Sequence, residues 1–187
     1  MRVPEIEGVH SVHRGVLVDE RGSFTSWFDA EDLAVRTGHS YVMAEGTISV
    51  SSAGTIRGIH YTDVPPGRGK YVTCVQGSIF DVAVDLRTGS PTFGDWRGQM
   101  LNAPEGTAVF LAEGIGHAFQ AVSAGAVVVY LYTTGFDAST YRAVHPLDPA
   151  IGIEWPVMGR PLLSAKDDEA PKLADARSLP AWKDCHG

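Results

Sequence analysis

Apolar residues in this chain come in short runs, many alternating with polar ones, and glycine or proline cuts nearly every run. HRGVLV, TISVSS, KYVTCVQGSIFDVAVDL, TAVFLAEG, HAFQAVS and AVVVYLYTT each read as extended strand. The alternation is plainest in IFDVAVDL. There Ile79, Asp81, Ala83 and Asp85 fall on one face and Phe80, Val82, Val84 and Leu86 on the other, which predicts one core face and one polar face. DAEDLAVRTGHS reads as a short helix with Asp29 as its N-cap and Gly38 at its end. The tail DDEAPKLADARSLPAWKD reads as a second helical patch. Many short strands with turn signals between them predict a mainly β fold, a sandwich or barrel with a few short helices. No internal repeat stands out, and 187 residues suit one domain, residues 1–187, with a full core.

Composition narrows the function. The longest apolar runs, such as AVVVYLY, are far too short to span a bilayer, so no membrane partner is expected. The opening MRVPEIEGVHSVHRG lacks the apolar core of a secretory signal. Cys74, in an apolar alternating segment, reads as a reduced core thiol, and Cys185 sits in the tail. Both fit a cytoplasmic protein. A net charge of -7 argues against nucleic acid as a partner, since that affinity rests on a basic face. An anionic small ligand needs only a few local cations and stays open.

The candidate chemistry begins with histidine. His10, His13, His39 and His186 lie in terminal or loop-like polar surroundings and read as solvated, and His145, in AVHPLDP, reads as a loop residue. His60, in RGIHY, and His117, in GIGHAF, instead sit beside strands. Three readings of His60 compete: a packed residue, half of a metal site, or a general base. Metal-binding cupin barrels carry an HxH pair and a later histidine. EGIGHAF resembles the later half, but Tyr61 and Thr62 follow His60 where a second histidine is needed. As a base, an imidazole takes and returns protons near neutrality, and Arg57, Arg68 and Lys70 are within ten residues. Arg57 is three positions from His60, so a regular strand points them to opposite faces unless a bend at Gly58 re-aims one.

A set of ordered motifs then carries a resemblance. DERGSF, SSAGTIRGIHY, PPGRGKYVTCVQGSIFDVAVDLRTGSPTFGDW, EGIGHAF, VVYLY, LDPAIGIEWP and LLSAKD follow one another between residues 19 and 167. Together they resemble the dTDP-4-dehydrorhamnose 3,5-epimerase family, actinobacterial members especially. The resemblance implies a jelly-roll, cupin-like barrel with a C-terminal tail, a homodimer, and no metal or organic cofactor. It implies a dTDP-4-keto-6-deoxy sugar as substrate, with protons removed from carbons flanking the C4 ketone and returned on the opposite face.

The same resemblance assigns roles: His60 as base, Asp167 as its orienting carboxylate, Tyr130 as acid, and Lys70 as the cation near the ketone. Substrate contacts fall on Arg21, Arg57, His117 and Lys166. A lysine beside the ketone would stabilise the enolate, and one such group in a dry site is typically worth about 3 kcal/mol. The arginines match a diphosphate. This chain departs from the family pattern at Ser26, Glu45, Thr47, Phe136 and Tyr141, where the family has Glu, Gln, Asn, Tyr and Glu. Glu45, Thr47 and Phe136 are expected in the pocket. The catalytic set is thus intact while specificity contacts differ, leaving two alternatives: a 3- or 5-monoepimerase of a modified deoxysugar in natural-product biosynthesis, or a catalytically silent sugar-nucleotide-binding barrel.

Overall fold

The computed structural model describes residues 5–185. In chain order its elements are β1 (Val9–His13), β2 (Leu17–Asp19), β3 (Gly22–Phe24), helix α1 (Ala30–Thr37), β4 (Glu45–Ser51), β5 (Ile56–Thr62) and β6 (Lys70–Gln76). They continue with β7 (Ser78–Asp85), β8 (Trp96–Asn102), β9 (Thr107–Leu111), β10 (Ile115–Ala121), β11 (Ala126–Tyr132), β12 (Tyr141–Ala143) and helix α2 (Ala165–Asp168). Two five-stranded sheets, ordered β1-β9-β6-β11-β4 and β12-β5-β10-β7-β8, form a jelly roll, and β2 and β3 make a separate hairpin. Side chains from both sheets meet in the central core, with Val72, Val109 and Val128 from the first against Ile79, Ile115 and Phe119 from the second. Among the described residues no helix is long and apolar enough to cross a membrane.

The predicted helix forms as read. The Asp29 side chain accepts from the backbone N–H groups of Glu31 and Asp32, and Gly38 ends the helix at φ 75°. Leu33 on its inner face joins Val12, Tyr71 and Phe110 on the outer side of the first sheet. Cys74 is a buried free thiol on β6.

Three expectations are corrected. The run KYVTCVQGSIFDVAVDL is two strands in two sheets, because Gly77 at φ 76° turns the chain between them, and a Cβ there would meet Ser123 Oγ at 2.1 Å. The polar face expected on β7 is buried as well. Asp81 pairs with His117, and Asp85 accepts from Arg87, Ser90 and Thr92, so both acids trade water for fixed partners. The opposite face of β7 is covered by the tail, with Leu173, Ala176 and Leu179 packed on the cluster of Val82, Val84 and Leu86. That tail is the third correction. Its helix is confined to the four residues of α2 and 3₁₀ turns at Leu173–Asp175 and Trp182–Cys185, since Pro171 and Pro180 interrupt it.

Of the outlying histidines, His10 and His13 lie on β1 rather than in a loop, and the His10 ring is half-buried, 6.4 Å from Phe110. His39 and His13 are exposed. His145 accepts from the Leu147 N–H through Nδ1, and His186 lies outside the described residues.

Candidate active site

The site lies between the sheets at one end of the barrel, and a slip in strand pairing builds it. On β10, His117 opposes His60 and Phe119 opposes Arg57, so three steps along β5 match two along β10. The extra residue is accommodated at Gly58, φ 127°, where a Cβ would lie 2.4 Å from Ala118 Cβ. Arg57 and His60 consequently line the same cavity rather than opposite faces.

His60 Nε2 sits 2.6 Å from Asp167 Oδ1. Asp167 is carried by α2, whose N-cap Ser164 accepts from the Asp167 N–H. Burial alone would raise the Asp167 carboxyl. Contact with His60, the Ser164 hydroxyl and the Gly58 N–H outweigh burial and hold it below the usual carboxylate range. An ionised carboxylate only accepts, so His60 carries its hydrogen on Nε2 and keeps a lone pair on Nδ1. Burial pushes His60 below the ordinary imidazole value, against the pull of Asp167 and with help from Lys70 and His117. The ring is thus a neutral base near pH 7.

Beside it, the Lys70 ammonium is buried and donates to the His60 carbonyl at 2.9 Å. Burial, reinforced by Arg68 and opposed by Asp81, brings it down to about 7. His117 is buried with Nε2 2.6 Å from Asp81 Oδ2. Tyr130 enters from the other sheet, on β11. Its hydroxyl shares a hydrogen bond with Ser49 Oγ at 3.3 Å, and its ring stacks on Tyr132 at 5.9 Å. Burial raises the Tyr130 phenol, only partly offset by Ser49, so it keeps its proton at neutral pH.

These groups line an inner chamber of about 200 Å³ that holds His60, Lys70, His117 and Tyr130. An outer cavity of about 690 Å³ adjoins it, with Glu45, Phe136, Lys166 and Asp167 in its wall. Thr47, Arg57, His60, Arg68, Tyr132 and Tyr141 border both. Every expected site residue but one is therefore brought together. The exception is Arg21, which lies exposed on the β2–β3 turn, bonded to Asp19, and lines neither cavity.

Sequence reasoning also left residues unassigned. Asp81 anchors His117, and Ser49 meets the Tyr130 hydroxyl. Tyr132 stacks on Tyr130 and borders both cavities. Tyr141, marked in the sequence only as a departure from the family pattern, lies 5.1 Å from the His60 ring with the Lys166 ammonium 4.1 Å above its own. The alternation of Thr47 and Ser49 on β4, where Thr47 stands opposite Tyr130 and Ser49 opposite Val128, was the one available signal.

The family model described as dTDP-4-dehydrorhamnose 3,5-epimerase matches residues 4–175. The chain belongs to the dTDP-4-dehydrorhamnose 3,5-epimerase family. The dTDP-4-dehydrorhamnose 3-epimerase of Streptomyces niveus is 47% identical over 183 residues, 96% of this chain and 88% of that protein. NovW, a 4-keto-6-deoxy sugar epimerase from the novobiocin biosynthetic gene cluster of Streptomyces spheroides, superposes with a TM-score of 0.94 at 46% identity, covering 98% of this chain and 94% of NovW. ChmJ, a 3'-monoepimerase from Streptomyces bikiniensis solved with dTDP-quinovose, gives a TM-score of 0.93 at 42% identity over 98% and 94% of the two chains. In this member of the epimerase family, a carboxylate-backed imidazole and a phenol reach one chamber from different sheets.

Proposed function

We propose that the protein epimerises a dTDP-4-keto-6-deoxy sugar by removing a proton α to the C4 ketone and returning one to the opposite face. The observation that carries the reading is the chamber shared by His60, on one sheet and backed by Asp167 of α2, and Tyr130, on the other. In the first half-reaction the C–H bond breaks, its proton goes to His60 Nδ1, and the electron pair moves to the ketone oxygen as an enolate. Asp167 stabilises the imidazolium, and the Lys70 ammonium the enolate oxygen. In the second, the carbon takes the Tyr130 proton from the other side, and solvent restores both groups. The scheme runs on proton transfer alone, with the His60 and His117 rings each held by a carboxylate at 2.6 Å. The substrate class rests on the dTDP-sugar relatives and on Arg57 and Lys166 in the outer cavity, whose charges suit a diphosphate.

A second reading, inversion at C3 alone, is favoured by the naming of the Streptomyces niveus relative as a 3-epimerase. One experiment separates the two. The protein is incubated in D2O with dTDP-4-keto-6-deoxyglucose, and NMR follows deuterium at C3 and C5. Label at both carbons supports the 3,5-epimerase, label at C3 alone the monoepimerase. No label at either carbon would mean a binding barrel without turnover.

We further infer a homodimer in which Arg21 serves the neighbouring copy's site. The supporting features are the bare β2–β3 hairpin, with Leu17, Val18 and Phe24 at least two-thirds exposed, and the outward Ile48 and Val50 of edge strand β4.

A further inference from the structure

Glu45 is expected from the sequence to face the ligand, yet its carboxylate is already engaged. Its Oε2 accepts from Arg68 Nη2 at 2.9 Å and from the Phe136 N–H at 2.6 Å. Arg68 is itself buried, and its Nε donates to the Thr134 carbonyl at 3.1 Å. The guanidinium lies 3.6 Å from the centre of the Tyr132 ring, with the Phe136 ring at 5.6 Å. The register explains the reach. Tyr132 on β11 has Glu45 opposite it on β4 and Lys70 opposite it on β6. Arg68, two residues before Lys70, thus crosses over the Tyr132 ring to the far strand. The loop that carries it is fastened to the segment after β11, since Thr133 Oγ1 accepts from the Gly69 N–H and Thr134 Oγ1 donates to the Gly67 carbonyl.

Arg68 and Tyr132 border both cavities, whereas Glu45 and Phe136 line only the outer one. The bridge is therefore a wall at the neck between the outer cavity and the chamber of His60 and Tyr130. We propose that Glu45 is a positioning residue that holds Arg68 flat on Tyr132, and that this wall seats the sugar between base and acid. The inference rests on the nucleotide-sugar reading above. Glu45 also occupies the guanidinium that would otherwise compete for the diphosphate, which leaves that task to Arg57 and Lys166. A wall that sets sugar orientation acts on the chemical step more than on nucleotide binding, because small misplacements at the reacting carbon cost rate steeply.

The test compares wild type, Glu45→Ala, Glu45→Gln and Arg68→Met. It measures kcat and KM for deuterium exchange into dTDP-4-keto-6-deoxyglucose, and the affinity for dTDP alone by calorimetry. The expected result for Glu45→Ala is a loss of about ten- to a hundredfold in kcat, with KM and dTDP affinity within threefold of wild type. Glu45→Gln, which keeps the acceptor oxygen without the charge, should retain most of the rate, and Arg68→Met should match Glu45→Ala. Should Glu45→Ala not fold, Glu45→Asp, which withdraws the carboxylate by one methylene, must show the same kcat-only loss. A wild type that exchanges normally alongside an unchanged Glu45→Ala overturns the wall. So does a loss confined to KM and dTDP affinity, which would make Glu45 a nucleotide contact. A wild type that neither binds dTDP nor exchanges deuterium overturns the function reading and this one together.

Discussion

Lys70 and His60 set opposite limits on the pH at which the site works. Exchange needs His60 neutral, and burial has pushed its pKa below the ordinary value of 6.5, so the base is available down through mildly acidic pH. Enolate stabilisation needs Lys70 charged, and its ammonium deprotonates at about 7. In the free protein kcat/KM should therefore fall above about 7 as Lys70 loses its charge, and on the acid side only at a pH under the ordinary imidazole value, as His60 protonates. A bound anionic substrate favours the ammonium, so the alkaline limb of kcat should lie at higher pH than that of kcat/KM. A Lys70→Met variant should lose the alkaline limb along with most of the rate. If wild-type kcat/KM stays flat from pH 6 to 9, Lys70 is not the group that meets the enolate. These residues were legible in the sequence through ordered motifs, not through periodicity. His60 and Asp167 are 107 positions apart, and no local pattern joins them. Tyr141 was legible only as a departure from the family pattern, and its three-residue strand is too short for alternation to show that its ring meets His60. The Arg68–Glu45 pair escaped because it depends on a side chain crossing an intervening strand.

At the level of the elements, the site depends on the irregular step in β5. Regular alternation would separate Arg57 from His60, and the extra residue at Gly58 brings them to one cavity. Gly58→Ala adds a Cβ that would stand 2.6 Å from the His117 carbonyl oxygen, at a φ of 127° that side chains rarely adopt. The variant should lose at least about 2 kcal/mol of stability through strain and overpacking, and its surviving folded fraction should exchange deuterium poorly. Thermal denaturation together with the exchange assay checks this, and a melting temperature equal to wild type would mean β5 has another way to step. The strand runs themselves were legible: β4, β6, β7, β9, β10 and β11 all fall within or beside stretches recognisable by alternation. What alternation misstates is which faces meet water. On β7 both faces are buried, one between the sheets and one under the tail, and Asp81 and Asp85 are paired rather than solvated. Binary pattern reports polarity, and a polar residue with a fixed partner looks the same in sequence as one in water.

In the proposed mechanism the two sheets are two sides of a reaction. One carries His60, proposed as the base, the other Tyr130, proposed as the acid, and both reach a common chamber. The exposed hairpin and the outward apolar residues of β4 lie outside that scheme in a single chain, and the proposed second copy would give them a role. Light scattering at micromolar concentration should give twice the 20.0 kDa of the chain. A monomer would leave Arg21 without a site. The central claim is that inversion uses His60 from one side and Tyr130 from the other. Its most direct test is to measure deuterium exchange and epimer formation together, in D2O, for wild type, His60→Ala and Tyr130→Phe. His60→Ala should lose both by about two to four orders of magnitude. Tyr130→Phe keeps the ring and removes only the hydroxyl, so it should still exchange deuterium into dTDP-4-keto-6-deoxyglucose while forming little inverted sugar. A Tyr130→Phe protein that inverts at the wild-type rate would contradict the two-sided account.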